Sequence, residues 1–169
     1  MSVKSIDIQL LSSTHIDDIL TLQEKAIANG DPFTPSSREL YERAFLFQNF
    51  VFGVFENNKL IGYCNCSIPT HKASMNLGKG IVTVDELDAV GHINTILIDA
   101  QFRRNSYGGL LLSAVLNHFK EKNFIKYVFT TIQTINLPSY RLFLKYGFKT
   151  IRSINNKGKE KYLLQFAII

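Results

Sequence analysis

INTILIDAQFRRNSYGGLLLSAVLNHF, residues 93–119, is a β-branched run, a turn of small and basic residues and an apolar-striped helix in unbroken succession. The strand is expected over residues 92–99 and the helix over 110–119, with Leu111, Val115, His118 and Phe119 on one side. Residues 125–132 follow as a buried strand, and Pro138 fits the first turn of a short helix that stops at Gly147. A β-α-β-α order of this kind demands a parallel pair of strands at the centre.

The flanks read as antiparallel. Residues 49–56 and 60–68 are aromatic and β-branched and surround Asn57-Asn58, a hairpin signal, and strands over 148–154 and 162–168 surround a turn at 155–158. Residues 5–11 alternate like a strand. Thr14 with Asp17 resembles a capping box for a helix carrying Ile16, Ile19, Leu20 and Ile27, and Ser36 with Glu39 opens a second through Leu40, Ala44 and Phe47. Residues 70–91 are read as a long loop or one that includes an extra strand. The expected fold is a single domain, residues 1–169, of mixed α/β (α+β) class: a mostly antiparallel sheet with a central parallel pair and about four helices.

Composition agrees with one packed domain. The 169 residues are 46% hydrophobic and 20% charged, which excludes disordered, collagen-like and coiled-coil chains. No apolar run reaches the ~18 to 20 residues of a membrane span, and the opening MSVKSIDIQLL lacks a leader's apolar stretch, so a cytoplasmic chain without a membrane partner is expected. Cys64 and Cys66 share a strand face as partly buried thiols, and with only His71 nearby no metal is expected.

Charge divides unevenly. Residues 1–99 hold 7 basic and 12 acidic side chains, net −5, whereas residues 100–169 hold 12 basic and 2 acidic, net +10. The second part favours an anion. Residues 103–109 offer the place for one: unpaired N–H groups converge at a helix start, the helix dipole adds positive charge, and glycine lets a phosphate approach.

At this turn the sequence resembles the GNAT superfamily of acyl-CoA-dependent N-acetyltransferases, with Arg103, Ser106 and Gly108 in the places of its pyrophosphate loop, Ser106 replacing the usual glycine. Residues 136–148, NLPSYRLFLKYGF, resemble the same family's downstream Asn segment. The resemblance implies acetyl-CoA as co-substrate. Main-chain groups of Ile96, Leu97 and Ile98, on a strand that splays from its parallel neighbour, would hold the pantetheine arm and polarise the acyl carbonyl. Arg103, Arg104, Asn105, Ser106, Tyr107, Gly108 and Gly109 would hold the pyrophosphate, with Asn136, Phe143 and Lys145 along the cofactor beyond it.

Acetyl transfer needs a neutral amine, so a group must accept a proton. His92, eleven residues before Arg103, stands where some members carry a catalytic carboxylate, and Asn94 could orient a water; the alternative for His92 is a hydrogen bond to a loop. Glu56, Asp85 and Glu86 read as weaker bases or as a solvated acidic rim. Phe143 stands where many members have the tyrosine that protonates the thiolate; Tyr140, one turn earlier, is the candidate replacement, whereas Tyr107 and Tyr146 look structural. Three functions compete: an N-acetyltransferase acting on a small-molecule or peptide amine by direct attack, a catalytically inactive acyl-CoA sensor, and a basic nucleic-acid-binding module. The last lacks a reader motif, so no nucleic acid is expected. The oligomeric state is left as monomer or homodimer.

Overall fold

The computed structural model describes residues 4–47 and 49–169; the first three residues of the opening MSVKSIDIQLL lie outside them. Among the described residues four α-helices and seven strands follow one another as β1 (Ile6–Leu10), α1 (Ile16–Ala28), α2 (Arg38–Ala44), β2 (Phe50–Glu56), β3 (Lys59–Ser67), β4 (Val90–Ile98), α3 (Tyr107–Glu121), β5 (Tyr127–Gln133), α4 (Leu137–Lys145), β6 (Lys149–Asn156) and β7 (Lys159–Ala167). The strands form one mostly antiparallel sheet of order β1-β2-β3-β4-β5-β7-β6, with β4 and β5 as its parallel pair. The expected mixed α/β class is what the chain adopts. No helix among the described residues is long and apolar enough to cross a membrane.

The chain forms two compact units, Met1–Cys66 with Thr95–Val115, and Ser67–Asn94 with Leu116–Ile169. In the first, Asn57 and Asn58 turn the β2–β3 hairpin at φ 50° and 65°, the left-handed pair that matches strand twist. Ile16, Ile19, Leu22 and Ala26 of α1 bury against Tyr41, Tyr63 and Leu97. This face differs from the predicted one, for Ile27 is exposed and Gln23 is buried in its place. Gln23 accepts the Ser36 N–H at 2.8 Å and donates to the Ser36 carbonyl at 2.9 Å. With Ser36 so engaged, the cap of α2 falls to Ser37, whose hydroxyl accepts the Leu40 N–H, and the helix ends at Ala44, leaving Phe47 exposed. The cap before α1 also lies earlier than predicted: the Ser12 N–H donates to His15 Nδ1 at 3.1 Å and a 3-10 turn leads into the helix. Cys64 and Cys66 are fully buried, free thiols with sulfurs 3.8 Å apart, and burial pushes the Cys66 thiol well up. No group of three or more potential metal ligands occurs among the described residues.

In the second unit the connector from β3 to β4 contains turns and a 3-10 helix, Val84–Ala89, and no strand among its described residues. Asn76 organises it, donating to the Leu87 carbonyl at 2.9 Å and accepting the Gly78 N–H at 2.9 Å, while the Asp88 carboxylate accepts from His71 Nδ1 at 2.8 Å. Of the acidic residues expected as a solvated rim, Asp85 is exposed, whereas Glu86 accepts from Lys126 at 3.4 Å and from the Tyr127 hydroxyl at 3.3 Å. Asn136 caps α4 through the Ser139 N–H, and the helix ends as expected at Gly147, φ 92°, with the Phe148 N–H closing on the Phe143 carbonyl at 3.1 Å.

Candidate active site

In the first unit β4 ends where the Asp99 N–H donates to the Ile61 carbonyl at 2.9 Å. The Asp99 carboxylate caps the 3-10 helix Ala100–Phe102 through the Gln101 N–H at 3.1 Å and receives Lys25 Nζ at 3.0 Å. Beyond it Arg104 and Ser106 lie at φ 64° and 63°. The left-handed backbone at Ser106 explains why glycine suits this place, since a Cβ there meets the following carbonyl. The first helical bond of α3 runs from the Leu110 N–H to the Ser106 carbonyl at 3.1 Å, so the N–H groups of Tyr107, Gly108 and Gly109 have no partner within the helix. The Tyr107 hydroxyl donates to Glu56 at 2.6 Å, fixing the helix start on β2 and holding the Glu56 carboxyl below its ordinary range, with Lys4 a further partner at 3.1 Å. Tyr107 thus has a structural part, and Glu56, buried beside it, is not in a solvated acidic rim, which corrects that expectation.

The two arginines part company. Arg104 is exposed, whereas Arg103 turns back: Nε donates to the Ile98 carbonyl at 3.0 Å, Nη1 to Asp31 Oδ1 at 3.0 Å and Nη2 to Asp31 Oδ2. Its charge is spent on Asp31, which corrects the expectation that it faces a phosphate. Asn105 likewise folds its amide onto the carbonyls of Phe102 and Arg103 at 3.2 Å. The residues still suit a diphosphate: three main-chain N–H groups without a partner in the helix, a helix N-terminus and the exposed Arg104 guanidinium. Along β4, Leu97 is buried while Ile96 and Ile98 are half-buried, and the Ile98 carbonyl is occupied by Arg103.

In the second unit the ladder of β4 with β5 pairs Val90 to Ile93 with Tyr127 to Thr130 and ends there, although β4 continues to Ile98. His92 is buried, and its Nε2 accepts the Leu77 N–H at 3.0 Å. Burial pushes its pKa down to about 4. This is the loop-bonded arrangement, and it corrects the expectation of an imidazole poised as a base near neutrality. Asn94 is exposed and exchanges hydrogen bonds with the Ser67 hydroxyl at 3.0 and 3.3 Å. The half-buried Tyr140 stacks on Tyr162, centroids 4.6 Å apart, and shares a 2.9 Å hydrogen bond with Thr150 Oγ1. Phe143 is buried edge-on against Phe148, and Lys145 is exposed. Asn136 spends its Oδ1 on the cap and keeps its amide N–H groups. Asp31 and Lys25 escaped sequence reasoning, because partners 72 and 74 residues away leave no local signal.

The family model of the Acetyltransferase (GNAT) family matches residues 16–148. An N-acetyltransferase from Staphylococcus aureus Mu50 shares 16% identity over 96% of this chain and 98% of its own, with a TM-score of 0.78. The ribosomal-protein-S18-alanine N-acetyltransferase from Escherichia coli shares 13% over 97% of this chain and 94% of its own, at 0.75. Arabidopsis thaliana NAA60 in complex with acetyl-CoA shares 14% over 97% and 99%, at 0.76. At such identities the likeness is one of fold. No curated protein sequence matches significantly.

Proposed function

The chain belongs to the acetyltransferase (GNAT) family, and from that membership we propose that it is an N-acetyltransferase, a single domain over residues 1–169, moving acetyl from acetyl-CoA to a primary amine by direct attack. The observation that carries this reading is the start of α3, where the N–H groups of Tyr107, Gly108 and Gly109 have no partner within the helix and Arg104 just before them is exposed. Bound acetyl-CoA supplies an activated thioester. The main chain of Ile96 and Leu97 would orient its acyl arm and residues 104–109 would hold the diphosphate, while Asn136 and Lys145 keep the cofactor-binding part that the family resemblance implies.

An alkylamine with a pKa near ~10.4 must shed a proton before attack. His92 does not take it, since its Nε2 lone pair is committed to Leu77. Water beside the Asn94–Ser67 pair is the proposed acceptor, and the Tyr140 hydroxyl the proposed donor to the departing thiolate in place of Phe143. Tyr140→Phe is then expected to lower kcat by about 10²-fold or more with unchanged acetyl-CoA affinity; an unaltered kcat means that the thiolate leaves unaided.

The engaged His92 and the buried Phe143 favour one second reading, an acyl-CoA sensor without turnover. Calorimetric titration with acetyl-CoA, followed by a thiol-release assay over small amines, amino sugars and peptide N-termini, separates the two. Binding with release identifies the enzyme and its class of acceptor. Binding without release from any amine identifies the sensor, and no binding overturns both.

A further inference from the structure

Asp31 is held by the end of its own helix as well as by Arg103. The end of α1 is a Schellman turn: Gly30 adopts φ 74° and donates to the Ile27 carbonyl at 3.0 Å, and the Asp31 N–H donates to the Ala26 carbonyl at 3.0 Å. Asn29 Nδ2 then binds Asp31 Oδ1 at 2.9 Å, and with Arg103 in place the carboxylate side chain is only 12% exposed. Onto this fixed carboxylate Arg103 forks both Nη groups, while its Nε holds the carbonyl of Ile98. A bidentate fork of this kind fixes direction as well as distance. The next residues, Arg104 and Ser106, sit at positive φ, a backbone shape that persists only when its surroundings impose it. A second strut from α1, Lys25 to Asp99, anchors the end of β4 four residues before Arg103.

We infer that Asp31 is a positioning residue for cofactor binding: acting through Arg103, it holds residues 103–109 in the shape whose amides receive a diphosphate. The inference rests on the acetyl-CoA reading of that loop. It also opposes simple electrostatics. A carboxylate near an anion site repels the anion, so neutralising Asp31 and releasing a guanidinium favours tighter binding on Coulomb grounds. A strut does the reverse: without it the competent loop is less populated, and apparent affinity falls in proportion.

The test is calorimetric titration of acetyl-CoA into the folded full chain as wild type, Asp31→Asn, Arg103→Lys and the double variant, with Asp31→Glu as the conservative form. Asp31→Asn is expected to weaken binding by roughly tenfold, corresponding to a competent population near one in ten. Arg103→Lys, which loses the fork, weakens it similarly, the double variant is no worse than either single one, and Asp31→Glu recovers part of the loss. Tighter or unchanged binding by Asp31→Asn overturns the inference, as do fully additive losses. A wild-type chain that binds no acetyl-CoA removes the cofactor reading itself, and the inference with it. If Asp31→Asn does not fold, the Arg103→Lys and Asp31→Glu titrations decide: normal affinity in Arg103→Lys counts against the strut.

Discussion

A buried imidazole that accepts a main-chain hydrogen bond trades acid resistance for order. His92 falls from its ordinary 6.5 to about 4 through burial alone. The unfolded chain therefore takes up a proton below pH 6.5 that the folded chain refuses until about pH 4, and the linked stability is complete above 6.5 and lost on descending through that window. The loss amounts to about 3 kcal/mol for a shift of this size. Urea unfolding at pH 7, 5.5 and 4 is expected to show it, and His92→Gln, able to accept from Leu77 without titrating, to remove most of it. An equal acid loss in that variant would falsify the assignment. Ser106 offers the complementary case, a side chain tolerated at φ 63°. Ser106→Gly should raise stability by about 1 kcal/mol, seen as a Tm higher by roughly 2–4 °C, with acetyl-CoA affinity retained.

At the level of elements, β4 and α3 were the most legible parts of the chain, because their signals are local: a β-branched run, a small-residue turn and a stripe of Leu111, Val115 and Phe119. The hairpin at Asn57 and Asn58 and the stop at Gly147 were legible for a related reason, since positive φ selects its residues. The connector after β3 was not, because its order comes from the Asn76 amide reaching Leu87 and from His92 reaching Leu77, neither of which leaves a periodic trace. The start of α2 was misplaced for the same reason, with Gln23 claiming Ser36 from thirteen residues away. Of the candidate site, the loop was legible and the direction of Arg103 was not. Two substitutions probe these elements. Gly108→Asp sets a carboxylate among the first-turn amides of α3 and is expected to abolish the acetyl-CoA-induced rise in Tm; a rise of undiminished size would place the diphosphate elsewhere. Gly91→Ala drives a Cβ into the Phe119 ring, which at full burial cannot retreat, and is expected to cost about 1–3 kcal/mol by chemical denaturation.

Across the whole molecule the uneven charge resolves into pairs and a remainder. Asp31, Glu56, Glu86 and Asp99 find cations at Arg103, Lys4, Lys126 and Lys25. Most basic side chains after residue 100, among them Arg104, Arg141, Lys145 and Arg152, have no acidic partner among the described residues. The chain, net +5, thus carries an attractive field that its own carboxylates do not cancel. Acetyl-CoA is polyanionic, so its affinity is expected to fall as salt shortens the Debye length from about 10 Å at 0.1 M to about 3 Å at 1 M. The fall should be partial, because main-chain donors fixed at a helix start are less screened than exposed side chains. At one hundred times its dissociation constant the ligand stabilises by about 2.7 kcal/mol, which in a chain of this length raises Tm by roughly 5–10 °C. Melting curves at both salt concentrations, with acetyl-CoA and with duplex DNA, distinguish the cofactor from a general polyanion. A shift that survives 1 M salt with acetyl-CoA but vanishes with DNA is expected. Equal shifts that both disappear in salt would assign the positive field to nucleic acid.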